Sequence, residues 1–178
     1  MTACRSVLAN PLATARYRVG QVLRGLRTTI GAADAERVRE LLTIAELALF
    51  LRMHARDRTH SICVMRRLER AGGSRELLAA ALLHDVAKGQ PRVWERALFA
   101  ILESISLRLV DRLASARGMR WRRAIWALRH HAREGAELLR RADSSERVRV
   151  LVERHTERPP ADQANVELAL LIAADGAC

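Results

Sequence analysis

Residues 77–85 read Leu77-Leu78-Ala79-Ala80-Ala81-Leu82-Leu83-His84-Asp85. Seven consecutive apolar residues, all Leu or Ala, favour a helix with no polar face. Such a helix has to be buried on every side. A second stretch, Leu168-Ala169-Leu170-Leu171-Ile172-Ala173-Ala174-Asp175, repeats the pattern. Each run ends in a carboxylate, which faces the negative end of the helix dipole. Taking that charge out of water costs several kcal/mol unless a partner compensates. Lys88 follows one turn later and offers one positive charge. Two buried acids beside a histidine call for more, and a divalent cation relieves both penalties at once.

Working outward, helical periodicity is nearly continuous. It predicts helices at 14–29, 34–54, 57–71, 75–88, 92–115, 120–130, 132–142, 145–156 and 162–175. The breaks fall at Gly31, Gly72-Gly73, Gly89-Gln90-Pro91, Gly118, Asp143-Ser144-Ser145 and Pro159-Pro160, each a helix stop or start signal. No linker or low-complexity tract divides the 178 residues, so the expected fold is one compact all-α domain of eight or nine helices. An apolar fraction of 49% supplies a core, and 3% aromatics leave little for base stacking.

The formal charge of +11 invites a polyanion as partner. Yet 30 of the 31 basic residues are Arg, spread over every segment, and Lys88 is the one Lys. That looks like a coding bias; a nucleic-acid stripe needs clustering on one face. The reading is a solvated Arg-rich surface, without a nucleic-acid partner. Cys4, Cys63 and Cys178 are odd in number with no C-x-x-C pair, so neither a disulfide framework nor a thiolate knuckle is expected, and a reducing cytoplasm is the default. No stretch resembles a secretory signal or a membrane span. Residues 95–114 are amphipathic through Leu98, Ile101, Leu102, Ile105 and Leu109. They read as a core-facing helix, with a membrane, a second copy or another partner as the alternative.

His60 joins the acids from a third helix. It shares a stripe with Cys63, Val64 and Leu68 and therefore points inward. A lone inward histidine is usually a satisfied core residue. Beside His84, Asp85 and Asp175 it completes an imidazole and carboxylate set suited to a divalent metal.

The arrangement resembles the HD superfamily of metal-dependent phosphohydrolases. RTHSICVMRRLERAG followed by ELLAAALLHDVAKG is similar to the family's first-His helix and its HD helix, and 24 positions separate His60 from His84. RHHAREGAELL resembles the H-x-x-x-G-A-E-L-L element of two-metal members, with His131 as the ligand. LVERHTERP places His155 where such enzymes carry a His-His-Glu triplet. The likeness extends over roughly 55–176 and points to the HDIG and HD-GYP type. Two departures count. Thr156 replaces the second His of the triplet, and no Gly-Tyr-Pro follows Glu157.

The resemblance implies that His60, His84, Asp85 and Asp175 hold a first metal, and that Asp85 bridges to a second on His131 and His155. Mn²⁺, Fe²⁺, Co²⁺ and Mg²⁺ all suit these ligands. The expected activity is hydrolysis of a phosphoester, nucleotide or cyclic dinucleotide by a metal-activated water, with Asp85 and Lys88 as catalytic residues. The substrate is then a small phosphorylated molecule. The alternatives are a regulatory or binding module with a structural or degenerate metal site, and a diiron oxygenase on the same ligands. His130, about 100° from His131 on the helix, reads as a surface residue or one supporting the ligands from behind, and His54 as structural. Residues 1–54 carry no motif and read as helices that complete the domain or form an oligomer contact; 55–178 carry the HD-type domain.

Overall fold

The computed structural model describes residues 30–157 and 165–178. The expected helix at 14–29, Cys4 and the Pro159-Pro160 break lie outside them. The described residues form nine helices and no strand: α1 (Ala32–Leu41), α2 (Ile44–Arg52), α3 (Ala55–Arg70), α4 (Arg75–Leu83), α5 (Val93–Ile105), α6 (Leu107–Leu113), α7 (Arg120–Arg141), α8 (Glu146–Arg154) and α9 (Val166–Ala177). The chain is an all-α domain.

The Leu-Ala run is the axis of the fold. Leu77 through Leu83 are all buried, and α4 packs against α1, α2, α3, α8 and α9. Ser74 starts the helix by accepting from the Leu77 N–H. Val38, Leu41, Phe50, Met65, Leu151 and Leu171 close the core around it. A smaller cluster, built on Leu102, Val110 and Ile125, joins α5, α6 and α7.

Several expected boundaries move. The helix at 34–54 is two, because Leu42 is extended and Thr43 builds a capping box with Glu46. That at 92–115 breaks at Ser106, whose backbone is extended. The pair at 120–130 and 132–142 is a single 22-residue helix, since nothing between them stops it. The helix at 75–88 ends at Leu83, and His84–Ala87 form tight turns with Val86 N–H on Leu83 O and Lys88 N–H on Asp85 O. Gly89 then takes a left-handed backbone at φ 68°.

Two burial expectations are corrected. α9 is not buried all round: Leu168, Leu171 and Ala174 face the core, while Val166 and Leu170 are exposed. It packs on α3, α4 and α8 from one side, so its apolar composition exceeds what its position uses. The greasy face of 95–114 also splits. Leu98, Leu102 and Leu109 enter the smaller cluster, whereas Ile101 and Ile105 stay exposed.

The expectation of no disulfide fails. Cys63 and Cys178 are joined, with Cα atoms 6.0 Å apart across a sequence separation of 115 positions. Local spacing carries no sign of it, because only the packing of α9 on α3 brings the two together. Cys63 is exposed, not inward.

Candidate metal centre

Four elements converge at the end of α4. His84 caps that helix and Asp85 follows in the turn. His60 comes from α3, His131 from α7, and Asp175 from the last turns of α9. His155 caps α8. His84, Asp85, His131 and His155 are 0%, 2%, 8% and 3% exposed. Gly135 explains how α7 and α8 come close enough: a Cβ there would lie 3.3 Å from both Val152 Cγ1 and Val86 Cγ1. Glycine one turn after His131 lets α8 and the turn after His84 close on α7.

The proton positions follow from the backbone. His84 Nδ1 lies 2.9 Å from Ala81 O, His131 Nδ1 2.7 Å from Leu128 O, and His155 Nδ1 2.6 Å from Val152 O. A carbonyl only accepts, so each Nδ1 carries a proton and each neutral ring offers a lone pair at Nε2. His131 and His155 are neutral: burial above all pushes their pKa values down to about 4 and about 3. Their Nε2 atoms nevertheless face each other at 3.2 Å. Two acceptors at that separation do not form a hydrogen bond. They converge on a place for a cation.

Asp85 stands at the middle. Its Oδ1 is 3.4 Å from His84 Nε2, 3.6 Å from His131 Nε2 and 3.9 Å from His155 Nε2. His84 Nε2 and Asp85 Oδ1 are both buried without a hydrogen-bond partner. Atoms that share an ion at about 2.1 Å sit about 3.0–3.4 Å apart, from simple trigonometry on the usual bond length. The 3.4 Å spacing falls in that range and the 3.6 and 3.9 Å ones lie just beyond it, while all three exceed charge-assisted hydrogen bonds of about 2.7–2.9 Å. His60, His84 and Asp85 form one triad able to hold a metal, and Asp85, His131 and His155 form another. The residues present fit a divalent cation.

Asp175 Oδ1 accepts from His60 Nε2 at 2.7 Å and lies 3.3 Å from His84 Nε2. Burial disfavours the charge on His84, but Asp85 and Asp175 outweigh it and push its pKa up to about 9. Without a cation, a proton stands in for one. Burial also opposes the carboxylates, yet His84 and Lys88 hold Asp85 well below the usual range, and His60 and His84 do so for Asp175. Lys88 Nζ donates to Asp85 Oδ2 at 2.6 Å. This leaves Oδ1 as the oxygen open to ligands. Against the cost of burial, Asp85 and Asp175 raise the Lys88 pKa, so it is an ammonium.

The remaining histidines do other work. His54 caps α3, its Nδ1 accepting from Arg56 N–H, and His130 stacks on Trp126. Thr156 is exposed, outside the cluster. Sequence reading missed Asp57, which takes both arms of Arg96 at 3.0 and 2.7 Å and ties α3 to α5. It also missed Arg56, half-buried in the field of Arg96, Asp57 and Asp85. No pattern marked them in a chain where arginine is everywhere. A groove of about 430 Å³ runs past Leu49, His54 and Asp57 and touches the cluster at Asp85.

The family model of the HD domain matches residues 58–176. No curated protein and no solved structure matches the chain. The match takes in about two thirds of the sequence and holds all six converging side chains, from His60 to Asp175. The chain belongs to the HD domain family.

Proposed function

We propose that this protein is a metal-dependent phosphohydrolase acting on a small phosphoester, nucleotide or cyclic dinucleotide. The observation that carries the reading is the buried pair His84 Nε2 and Asp85 Oδ1, without hydrogen-bond partners and ringed by further lone pairs. A protein keeps such atoms unpaired at a cost, and a cation removes it.

His60, His84, Asp85 and Asp175 would hold one divalent ion, of the Mn²⁺, Fe²⁺, Co²⁺ or Mg²⁺ kind. His131 and His155, sharing Asp85, would hold a second. Such an ion, when bound, lowers the pKa of water and offsets charge on phosphoryl oxygens. The chain's own residues do the rest. The three carbonyls on the Nδ1 atoms fix ring tautomer and tilt. Lys88 steadies Asp85 through Oδ2 and brings an ammonium to the edge of the site, where phosphate charge develops. Asp85 and Lys88 are the catalytic residues in this reading. A groove of about 430 Å³ suits a small molecule. Residues 55–178 carry the chemistry, and 1–54 complete the domain or meet a second copy. The exposed Ile101 and Ile105 offer a further strip for a partner.

The second reading, a regulatory module with a degenerate metal site, draws support from Thr156, which brings no ligand from the triplet position. Elemental analysis of the purified protein, followed by assays on nucleotides, cyclic dinucleotides and sugar phosphates, separates the two. Bound metal with release of phosphate or a cleaved nucleotide supports the enzyme. Bound metal with no turnover of any substrate class supports the module.

A further inference from the structure

We propose that the Cys63–Cys178 disulfide is a positioning cross-link of the metal centre, and that a dithiol reductant opens it and loosens Asp175. The inference rests on the metal-centre reading above. His60 and Asp175 are in contact across 115 positions of chain, and Cys63 and Cys178 are bonded across the same 115. Each cysteine follows its candidate ligand by three positions, which keeps it on the same side of its helix. α3 and α9 therefore lie in one register, and the disulfide repeats the His60–Asp175 contact almost one turn further on.

Asp175 needs such support and His60 does not. His60 sits inside the 16-residue α3, clamped on both sides by turns of helix. The apolar anchors of α9 end at Ala174. Asp175 lies beyond them, followed by Gly176 and Ala177, both exposed. Glycine is a poor helix former, and terminal turns fray. The cross-link fixes this turn against α3 and so holds the Asp175 carboxylate on His60 and His84.

The bond is accessible: Cys63 is exposed and Cys178 only half-buried. A thiolate of the dithiol attacks one Sγ, breaking the Sγ–Sγ bond and forming a mixed disulfide. Its second thiol then displaces that sulfur. Two electrons and two protons end on Cys63 and Cys178 as thiols, and the dithiol leaves as its own disulfide. Oxidised protein holds metal firmly; reduced protein holds it weakly.

The test measures Mn²⁺ affinity by calorimetry on the full chain, air-oxidised or reduced with dithiothreitol and desalted without oxygen. Cys63→Ser and Cys178→Ser are run beside it. Misplacing a group that orients a ligand costs about tenfold to 100-fold in metal affinity, and reduction is expected to do the same. Both variants should match the reduced protein and ignore the reductant. In the metal-free chain, amide exchange over residues 172–178 should quicken on reduction while that of α3 stays unchanged. Equal Mn²⁺ affinity in both redox states overturns the clamp and leaves the metal reading standing. Free thiols at both positions in air-oxidised protein overturn it as well. No Mn²⁺ uptake in either state removes the metal reading, and the clamp with it.

Discussion

His131 Nε2 and His155 Nε2 face each other at 3.2 Å, each ring with its Nδ1 proton on a carbonyl of its own helix. Backbone geometry thus aims two lone pairs at one point, with Asp85 Oδ1 within 3.9 Å of both. The first consequence concerns stoichiometry. Mn²⁺ titration should show a tight site and a weaker one. His155→Ala should abolish the weaker site and cost the tight one no more than about tenfold, the low end of what losing a group behind the ligands costs. A single class of sites unaffected by His155→Ala would refute the two-site arrangement.

Asp85→Ala should eliminate metal uptake and hydrolysis while keeping the helical circular-dichroism spectrum. Loss of the carboxylate strands Lys88 and leaves His84 with one acid fewer. Lys88 can turn toward solvent, its side chain being 22% exposed, and His84 can give up its proton. The stability loss should therefore stay near 1–3 kcal/mol, below that of breaking a sealed ion pair. Denaturant titration checks the figure, and metal retained at wild-type levels would rule out the assigned centre.

Lys88→Arg should keep the metal yet lower the hydrolysis rate by about tenfold or more. The planar guanidinium is larger than an ammonium and cannot take its place on Asp85 Oδ2 at 2.6 Å without shifting the carboxylate. Steady-state kinetics with metal content measured in parallel decides it. Unchanged turnover would mean that any cation suffices there.

Metal-free protein should be most heat-stable near pH 6.5. The folded pKa of His84 is raised to about 9, so its contribution is full below the unfolded value and fades as pH climbs toward 9. Those of His131 and His155 are lowered to about 4 and about 3, so theirs are full above 6.5 and fade as pH falls through those values. Asp85 and Asp175, also lowered, add to the acid loss. Metal binding takes the proton from His84, which should flatten the alkaline side. Scanning calorimetry with and without chelator reads both limbs.

Gly135→Ala should destabilise the fold by about 1 kcal/mol. The gain in helix propensity is about 1 kcal/mol. Against it stands overpacking of about 1–3 kcal/mol, because Val152 and Val86 are stiff at χ1 and lie 3.3 Å from the new Cβ. The same push parts α7 from α8, so Mn²⁺ affinity at the His131–His155 site should fall too. A variant as stable as the parent, with unaltered Mn²⁺ binding, would show that the valines yield.

The sequence by itself determined the helical fold, because an uninterrupted Leu-Ala run has nowhere to go but the middle of a helical core. It also singled out His60, His84, Asp85 and Asp175, since an acid at the end of an apolar run is out of place without a compensating charge. Spacing cannot reveal what depends on how helices cross. Lys88 reaches Asp85 Oδ2 from three positions along the chain, and the family resemblance already paired His131 with His155, but the Asp57–Arg96 pair and the Cys63–Cys178 bond each join distant segments. Their partners are set by packing, not by local pattern. Helix ends divide between the two: the Thr43–Glu46 capping box that starts α2 is a local Thr-x-x-Glu pattern which helical periodicity alone passes over, whereas no side-chain cap marks the break at Ser106.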